Sequence, residues 1–269
     1  MSGAGRSRID AAAEAIAAQR ASDGLVRPLE ADWAPRDAAE GYAIQAALAR
    51  RAGCWPPAGF KVGATAATMQ LHLGIRSPAA AFLDRGSIHT SGHARSFSRL
   101  VNPGVEAEIA LRLGADLAPG DHALERLAEA VADVLPAIEI VENRYPAGLA
   151  MGTPMLIADR FFHAAAVLGP PAAGWPASRL AGQDLARVAG HLVVDGVVVG
   201  EGKGEDLLGH PLAVLRWLAA SPAAAVFGGL RAGQVVLCGS VTVPAWLTGP
   251  AEVEVVFDQL GSVTTRFLP

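Results

Sequence analysis

Val105-Glu106-Ala107-Glu108-Ile109-Ala110-Leu111-Arg112-Leu113 sets Val105, Ala107, Ile109, Leu111 and Leu113 in alternation with Glu106, Glu108 and Ala110. That is the period-two pattern of a β-strand, so the two acids share one face. Further on, Val134-Leu135-Pro136-Ala137-Ile138-Glu139-Ile140-Val141 places Glu139 inside an apolar, β-branched run that reads as a buried strand. There an ionised carboxylate without a partner costs on the order of several kcal/mol or stays protonated. Three converging carboxylates suit a hard divalent cation such as Mg²⁺ or Mn²⁺ better than zinc, which prefers nitrogen and sulfur. Two plainer alternatives stay open: Glu106 and Glu108 as the wet face of a half-exposed strand, and an Arg or Lys partner for Glu139.

The rest of the chain narrows the class of function. With 269 residues, 51% hydrophobic and 18% charged, it can bury a substantial core and is far from the disordered class. A net charge of −4 without a Lys/Arg-rich block argues against nucleic acid or an anionic membrane as the main partner and favours a small molecule. Cys54 and Cys238 stand at no metal-ligand spacing, which suits a reducing cytoplasm. In the opening MSGAGRSRIDAAAEAIAAQ, Asp10, Glu14 and Gln19 interrupt the alanines, so no export signal is read there. No apolar run is long enough for a transmembrane helix.

Residues 8 to about 53 read as helical, first to Ala21 and again from Arg36 to Gly53, giving an N-terminal helical arm over residues 1–57. From there on the chain reads as one β-rich catalytic domain, 58–269, packed with the arm as a single compact unit. Strands are expected in GFKVG, VEAEIAL, PAIEIVE, HLVVDGVVVG, QVVLCGSV and AEVEVVFDQLGSVTTRF, with helices at Leu124–Val134 and Pro211–Ala220. Asp195-Gly196 is a type I′ hairpin signal, and Gly169 to Gly182 reads as a surface connection. The fold class is strand-rich α+β.

Several further residues carry candidate chemistry. Lys61, in a short strand flanked by Gly59 and Gly63, can act as acid, base or charge stabiliser if desolvated; a snorkelling surface lysine is the alternative. His210 precedes Pro211 at a helix start and either caps it or reaches the site. Ser240 ends the strand QVVLCG as a hydroxyl donor to a substrate carboxylate. Asp159 lies by an apolar helix start, where a charge–dipole role competes with a functional one. Gly200-Glu201-Gly202-Lys203-Gly204 lacks the spacing of a phosphate-binding loop. No G-x-S-x-G elbow is present, which disfavours covalent catalysis.

Taken in order, GFKVGATAATMQLHLGI, VEAEIALRL, LPAIEIVENRY, LGHPLAVLRWLA, LRAGQVVLCGSVTVP and LGSVTTRF resemble the fumarylacetoacetate hydrolase superfamily over almost the whole chain. The branch they are most similar to is that of the 2-keto-4-pentenoate hydratases and 4-oxalocrotonate decarboxylases. The resemblance implies a mixed β-sheet roll and a divalent metal, Mg²⁺ or Mn²⁺, on Glu106, Glu108 and Glu139. It makes Lys61 an active-site residue and puts Ser240 at the substrate carboxylate; Asp159 and His210 complete the expected substrate-binding set. Two departures stand out. Ser77-Pro78-Ala79-Ala80-Ala81-Phe82 lacks the acidic residue that many pentadienoate hydratases carry in a P-D-Y-G-like loop, and Gly152 to Phe162 puts Arg160, Phe161 and Phe162 where small polar residues are usual. An apolar distal pocket built from Ala79, Ala80, Phe82, Phe161 and Phe162 follows. The expected activity is that of a cytoplasmic, homo-oligomeric, metal-dependent lyase acting on a 2-oxo acid or its enol. A decarboxylase, an acylpyruvate C–C hydrolase and a non-catalytic 2-oxo acid binder are the alternatives.

Overall fold

The computed structural model describes residues 7–22, 24–66, 69–71, 75–146, 151–173 and 185–269. Two capped helices open the chain. The Ser7 side chain accepts from the Asp10 N–H at the start of α1 (Arg8–Arg20), and Asp37 accepts from the Glu40 N–H at the start of α2 (Ala38–Arg51). The strands are β1 (Gly59–Gly63), β2 (Ala79–Leu83), β3 (Ile88–Thr90), β4 (His93–Ser96), β5 (Pro103–Leu113), β6 (Val131–Glu142), β7 (His163–Leu168), β8 (Ala189–Val194), β9 (Val197–Lys203), β10 (Val235–Ser240), β11 (Ala245–Trp246), β12 (Ala251–Phe257) and β13 (Gly261–Leu268). Further helices among the described residues include α3 (Leu124–Ala130), α4 (Thr153–Ala158), α5 (Pro211–Ala220) and α6 (Pro222–Val226).

The main sheet runs β2-β1-β10-β5-β6-β7-β3, with β11 paired to β5, and a second sheet runs β4-β13-β12-β8-β9. Both are mixed: β1/β10, β3/β7 and β4/β13 are parallel and the other pairs antiparallel. The main sheet cannot be flat. β2 and β3 lie at its opposite edges, yet only Asp84 to Ser87 separate them in sequence. Such a link spans at most about 18 Å, whereas seven flat strands extend over roughly 29 Å. The sheet therefore curls into a roll, and Leu83, Leu168 and Ile88 from its two ends meet in one apolar cluster with Ala110, Ala137 and Leu237.

The alternation in β5 sorts its side chains between the two faces. Val105, Ala107, Ile109 and Leu111 join the large core shared with α1, α2 and the second sheet. Glu106, Glu108 and Ala110 turn to the inside of the roll. Asp195 and Gly196 both take positive φ between β8 and β9, as a type I′ turn requires.

Four expectations need correction. The helix from Leu124 ends at Ala130 rather than Val134, because Val131 already enters the twelve-residue β6. The second arm helix spans Ala38–Arg51, inside the wider Arg36–Gly53. Residues 79–82 are not a loop but most of the buried edge strand β2. Its outward backbone groups are met by α2: Gln45 Nε2 donates to the Ala80 carbonyl, Gln45 Oε1 accepts from the Phe82 N–H, and Tyr42 Oη accepts from the Ala80 N–H. An edge that would otherwise carry unpaired donors and acceptors is closed. Asp159 sits at the end of α4, not at a helix start. Most of the Gly169–Gly182 connection, residues 174–182, lies outside the described residues. Among those described, no helix is long and apolar enough to cross a membrane.

Candidate active site

Glu106 and Glu139 are direct cross-strand partners in the β5/β6 ladder, and Glu108 lies one pleat deeper, opposite Ala137 and Ser240. The three carboxylates bring oxygens within 4.8 Å of one another. Glu108 and Glu139 are buried, and Glu106 is half-buried. Like charges directly opposed on a sheet repel, and the surroundings answer only part of that repulsion. Burial raises the Glu139 carboxyl, but the positive charge of Lys61 and the hydrogen bond from His163 outweigh it and hold Glu139 down at about 2. Burial, and then the charge of Glu139, push Glu106 up to about 8 and raise Glu108 as well. Glu108 Oε2 accepts from the Gly239 N–H at 2.9 Å, while its Oε1 is buried without a hydrogen-bond partner among the described residues. An all-oxygen donor set with an orphaned buried oxygen fits a hard divalent cation.

The Gly239 contact depends on backbone shape. The β10/β5 register shifts between Leu237 and Ser240, and Gly239 takes φ +95° there; a Cβ would come within 2.3 Å of Thr65 Oγ1 and 2.9 Å of the Val62 carbonyl. Only glycine fits this bulge. It turns an N–H onto Glu108 and brings Ser240 to the cavity wall, where the Ser240 hydroxyl donates to the Thr242 carbonyl and accepts from its N–H.

Lys61 is buried, not a snorkelling surface residue. Its Nζ stands 3.4 Å from Glu139 and 5.0 Å from the centre of the Phe161 ring. The Lys partner weighed for Glu139 is thus present, within the carboxylate cluster and not in place of it. His163 is a residue the sequence reading missed. Fully buried at the start of β7, it donates from Nδ1 to Glu139 Oε1 at 2.8 Å when Nε2 is the acceptor of the Ser87 hydroxyl at 3.2 Å. Burial lowers its pKa to about 4 in spite of Glu139, so it is neutral. Its only sequence signal was a histidine inside the apolar run FFHAAAV.

A cavity of about 660 Å³ opens over Glu106 and Glu108, lined also by Lys61, Ser240, Phe161 and Phe162. Ala79, Ala80 and Phe82 are buried within β2 and do not line it, so of the five expected apolar residues only the two phenylalanines do. The structure does not bring Asp159 or His210 to the cavity. Asp159 accepts from the Arg20 guanidinium and the Tyr145 hydroxyl, tying α1 to the end of α4. His210 is the N-cap of α5, its Nδ1 accepting from the Leu212 N–H.

Comparison with known proteins agrees with this geometry. The chain is 32% identical to a 2-keto-4-pentenoate hydratase of Burkholderia vietnamiensis, over 92% of this chain and 93% of that protein. The structure of 4-oxalocrotonate decarboxylase from Pseudomonas putida G7 complexed with magnesium and adipate superposes with a TM-score of 0.86, at 26% identity, over 97% of both chains. A second structure of that decarboxylase, with calcium and acetate, superposes with a TM-score of 0.84 over the same shares at the same identity. The model of the fumarylacetoacetate (FAA) hydrolase C-terminal family matches residues 63–268. The curled sheet, the carboxylate cluster inside it and these matches together place the chain in the fumarylacetoacetate hydrolase family.

Proposed function

We propose that this protein is a divalent-metal-dependent lyase of the 2-keto-4-pentenoate hydratase kind, acting on a 2-oxo acid or its dienol. The observation that carries the reading is the cluster of Glu106, Glu108 and Glu139 with its orphaned Glu108 oxygen, set at the floor of a cavity beside Lys61. The relatives add support, since they are named as hydratases and decarboxylases. Glu106, Glu108 and Glu139 would hold Mg²⁺ or Mn²⁺, which supplies Lewis-acid polarisation of a bound carboxylate and 2-oxo oxygen.

This chain's own residues divide the remaining work. His163 fixes the rotamer of Glu139, as hydrogen-bonded partners of ligating carboxylates do. Lys61, held between Glu139 and the Phe161 ring, is the group placed to give a proton to the substrate carbon or take it back. The Phe161 ring and the depth of the floor keep bulk water from that proton. Hydration then adds hydrogen and hydroxyl across the remote double bond, leaving the carboxylate in place. The protein works as a cytoplasmic homo-oligomer in this reading; the outer edge of β9, unpaired among the described residues and with Val197, Val198 and Val199 exposed, suits association between copies.

The test is turnover of 2-hydroxypenta-2,4-dienoate, followed by loss of the dienoate absorbance with Mg²⁺ or Mn²⁺ present. The expected result is hydration that a chelator abolishes and that added cation restores. Tight oxalate binding with no turnover of any dienoate or 2-oxo acid would instead make the protein a binder.

A further inference from the structure

The chain crosses from one sheet to the other at a corner that carries basic side chains. β3 joins the main sheet through β7, β4 joins the second sheet through β13, and Ser91-Gly92 turns between them with Gly92 at φ +85°. The Ser91 N–H donates to the Leu168 carbonyl of one sheet and the Gly92 N–H to the Thr264 carbonyl of the other, which fixes both arms of the corner. Partnered residues of neighbouring strands share a face. His93 is partnered with Thr265 and Arg95 with Phe267, both buried, so His93 and Arg95 turn toward the space between the sheets. His89, partnered with Val167 of the large core, comes from the other side. The two imidazoles meet face to face across the corner, 3.7 Å between ring centres and with planes 5° apart.

All three side chains are half-buried. Among the described residues Arg95 makes no ion pair or side-chain hydrogen bond; the charge of Glu142 on β6 reaches it, but Glu142 Oε1 accepts from the Val101 N–H. The ring nitrogens of His89 and His93 likewise have no hydrogen-bond partner among the described residues. Burial and then Arg95 lower His89, against Asp84 on the link before β3; burial, then His89 and Arg95, lower His93. The facing residues of β7 and β13, Val167, Thr265 and Phe267, are uncharged. A metal ion does not suit this pair. It would have to lie in the plane of each ring, about 2.0–2.1 Å from a nitrogen, and two nearly parallel planes at this spacing share no such point. Arg95 would also repel a cation. An anion does suit it, because stacked rings present N–H edges side by side and a guanidinium fork matches the oxygens of an oxyanion.

We infer that His89, His93 and Arg95 form a binding site for a doubly charged oxyanion of the sulfate or phosphate kind, distinct from the carboxylate cluster, and that the anion binds together with a proton. Arg95 takes the anion through its fork, and each imidazole offers it an N–H. One protonated ring is attracted to the face of the other, and the anion offsets the repulsion from Arg95, so occupancy favours the protonated pair. The site lies outside the roll. Glu139 is partnered with Ala166, which belongs to the inner apolar cluster, whereas His89 is partnered with Val167 on the opposite face of β7.

The experiment is calorimetric titration of the full chain, free of metal, with sulfate, whose charge is constant across the range, at pH 7.5 and pH 5.5 and at ionic strength matched with chloride. One sulfate should bind per chain, at least about fivefold more tightly at pH 5.5, where the imidazoles can take up the proton. Arg95→Gln removes a charge that has no ion-pair partner among the described residues. It should keep the wild-type Tm in chloride and weaken sulfate binding at least about tenfold, the worth of a charged hydrogen-bonding partner. His93→Gln should weaken binding and abolish the gain at pH 5.5, and it carries the test if Arg95→Gln does not fold. Inorganic phosphate and methyl phosphate then separate two sources of the anion. Methyl phosphate bound at least as tightly as inorganic phosphate assigns the site to phosphate monoesters, and a preference for inorganic phosphate assigns it to the free anion; either result sustains the inference. A wild type that binds neither sulfate nor phosphate overturns it, as does sulfate binding that is unchanged in the folded variants or no tighter at pH 5.5.

Discussion

At the scale of single residues, the site is a charge-balance problem with Lys61 at its centre. Three carboxylates converge; the charge of Lys61 and the hydrogen bond from His163 hold Glu139 low against its burial, while burial and the charge of Glu139 raise Glu106 and Glu108. Lys61 therefore has two separable roles, one electrostatic in the metal-free protein and one chemical in the loaded enzyme. Lys61→Met is expected to bind Mn²⁺ and oxalate nearly as the wild type does, because the cation then supplies the positive charge that Glu139 loses. Its kcat should fall by roughly 10²- to 10⁴-fold, the usual worth of a positioned proton-transfer group. Steady-state kinetics beside a metal titration make the check, and a near-wild-type kcat in a folded variant would return Lys61 to a structural role.

At the scale of elements, the segment from α4 into β7 decides the shape of the cavity wall. After the cap at Asp159 the chain takes three consecutive non-glycine residues at positive φ, Arg160, Phe161 and Phe162. Such residues cost on the order of 1–3 kcal/mol each and persist only where the surroundings hold them. Here the holders are identifiable: Arg20 on Asp159, Tyr145 on Asp159, and Arg160 on Asp84. Arg144 adds a second clasp, its guanidinium donating to the Arg20, Ser22 and Gly24 carbonyls past the end of α1. Among the described residues, Arg20→Ala leaves the buried Asp159 carboxylate the Tyr145 hydroxyl as its side-chain donor. It should cost about 2 kcal/mol and raise KM for a tailed substrate while Mn²⁺ affinity stays unchanged, because the carboxylates stand on β5 and β6. Thermal unfolding with kinetics tests this, and an unaltered Tm and KM would remove the clasp from the account.

The same segment shows what was and was not legible in the sequence. Glu106, Glu108 and Glu139 could be read because period two and an apolar run state which way a side chain points, and Lys61 because glycines flank it. β2 could not, since Ala79-Ala80-Ala81 carries no strand preference of its own; Gln45 and Tyr42 of α2 make it an edge strand, and that contact is invisible to local propensity. His163 was hidden because its role comes from pairing across β6 and from Ser87 in the link that closes the roll. Charge and position at helix ends, with the family resemblance for Asp159, make Asp159 and His210 site candidates. Burial with Arg20 and helix capping claim them instead.

At the scale of the whole molecule, the unfilled carboxylate cluster should make stability depend on pH in a way that metal reverses. Glu139 is held near 2, below its unfolded value of about 4.3, so its contribution is present above about pH 4.3 and is lost as pH falls toward 2. Glu106 is raised to about 8 and Glu108 is also raised. The folded chain therefore keeps protons that the unfolded chain releases, and stability should decline as pH rises from about 4.3 to about 8. At about 1.4 kcal/mol per unit of pKa difference, the metal-free Tm should be lower at pH 8 than at pH 5 by roughly 5 °C or more. Saturating Mn²⁺, which binds the deprotonated carboxylates, should remove that decline, and Glu106→Gln should flatten the metal-free profile. Scanning calorimetry across this range reads both.

The central claim is that Glu106, Glu108 and Glu139 form one divalent-cation site, and calorimetric titration of the metal-free chain with Mn²⁺ at pH 7, in two buffers of different ionisation enthalpy, addresses it most directly. One Mn²⁺ should bind per chain, with a buffer-dependent heat that reports proton release from Glu106 and Glu108. Glu108→Gln, which still offers an oxygen to the Gly239 N–H, should weaken binding at least about tenfold. A folded wild type that binds no Mn²⁺, or binds it with no proton release and with the same affinity after Glu108→Gln, would contradict the account.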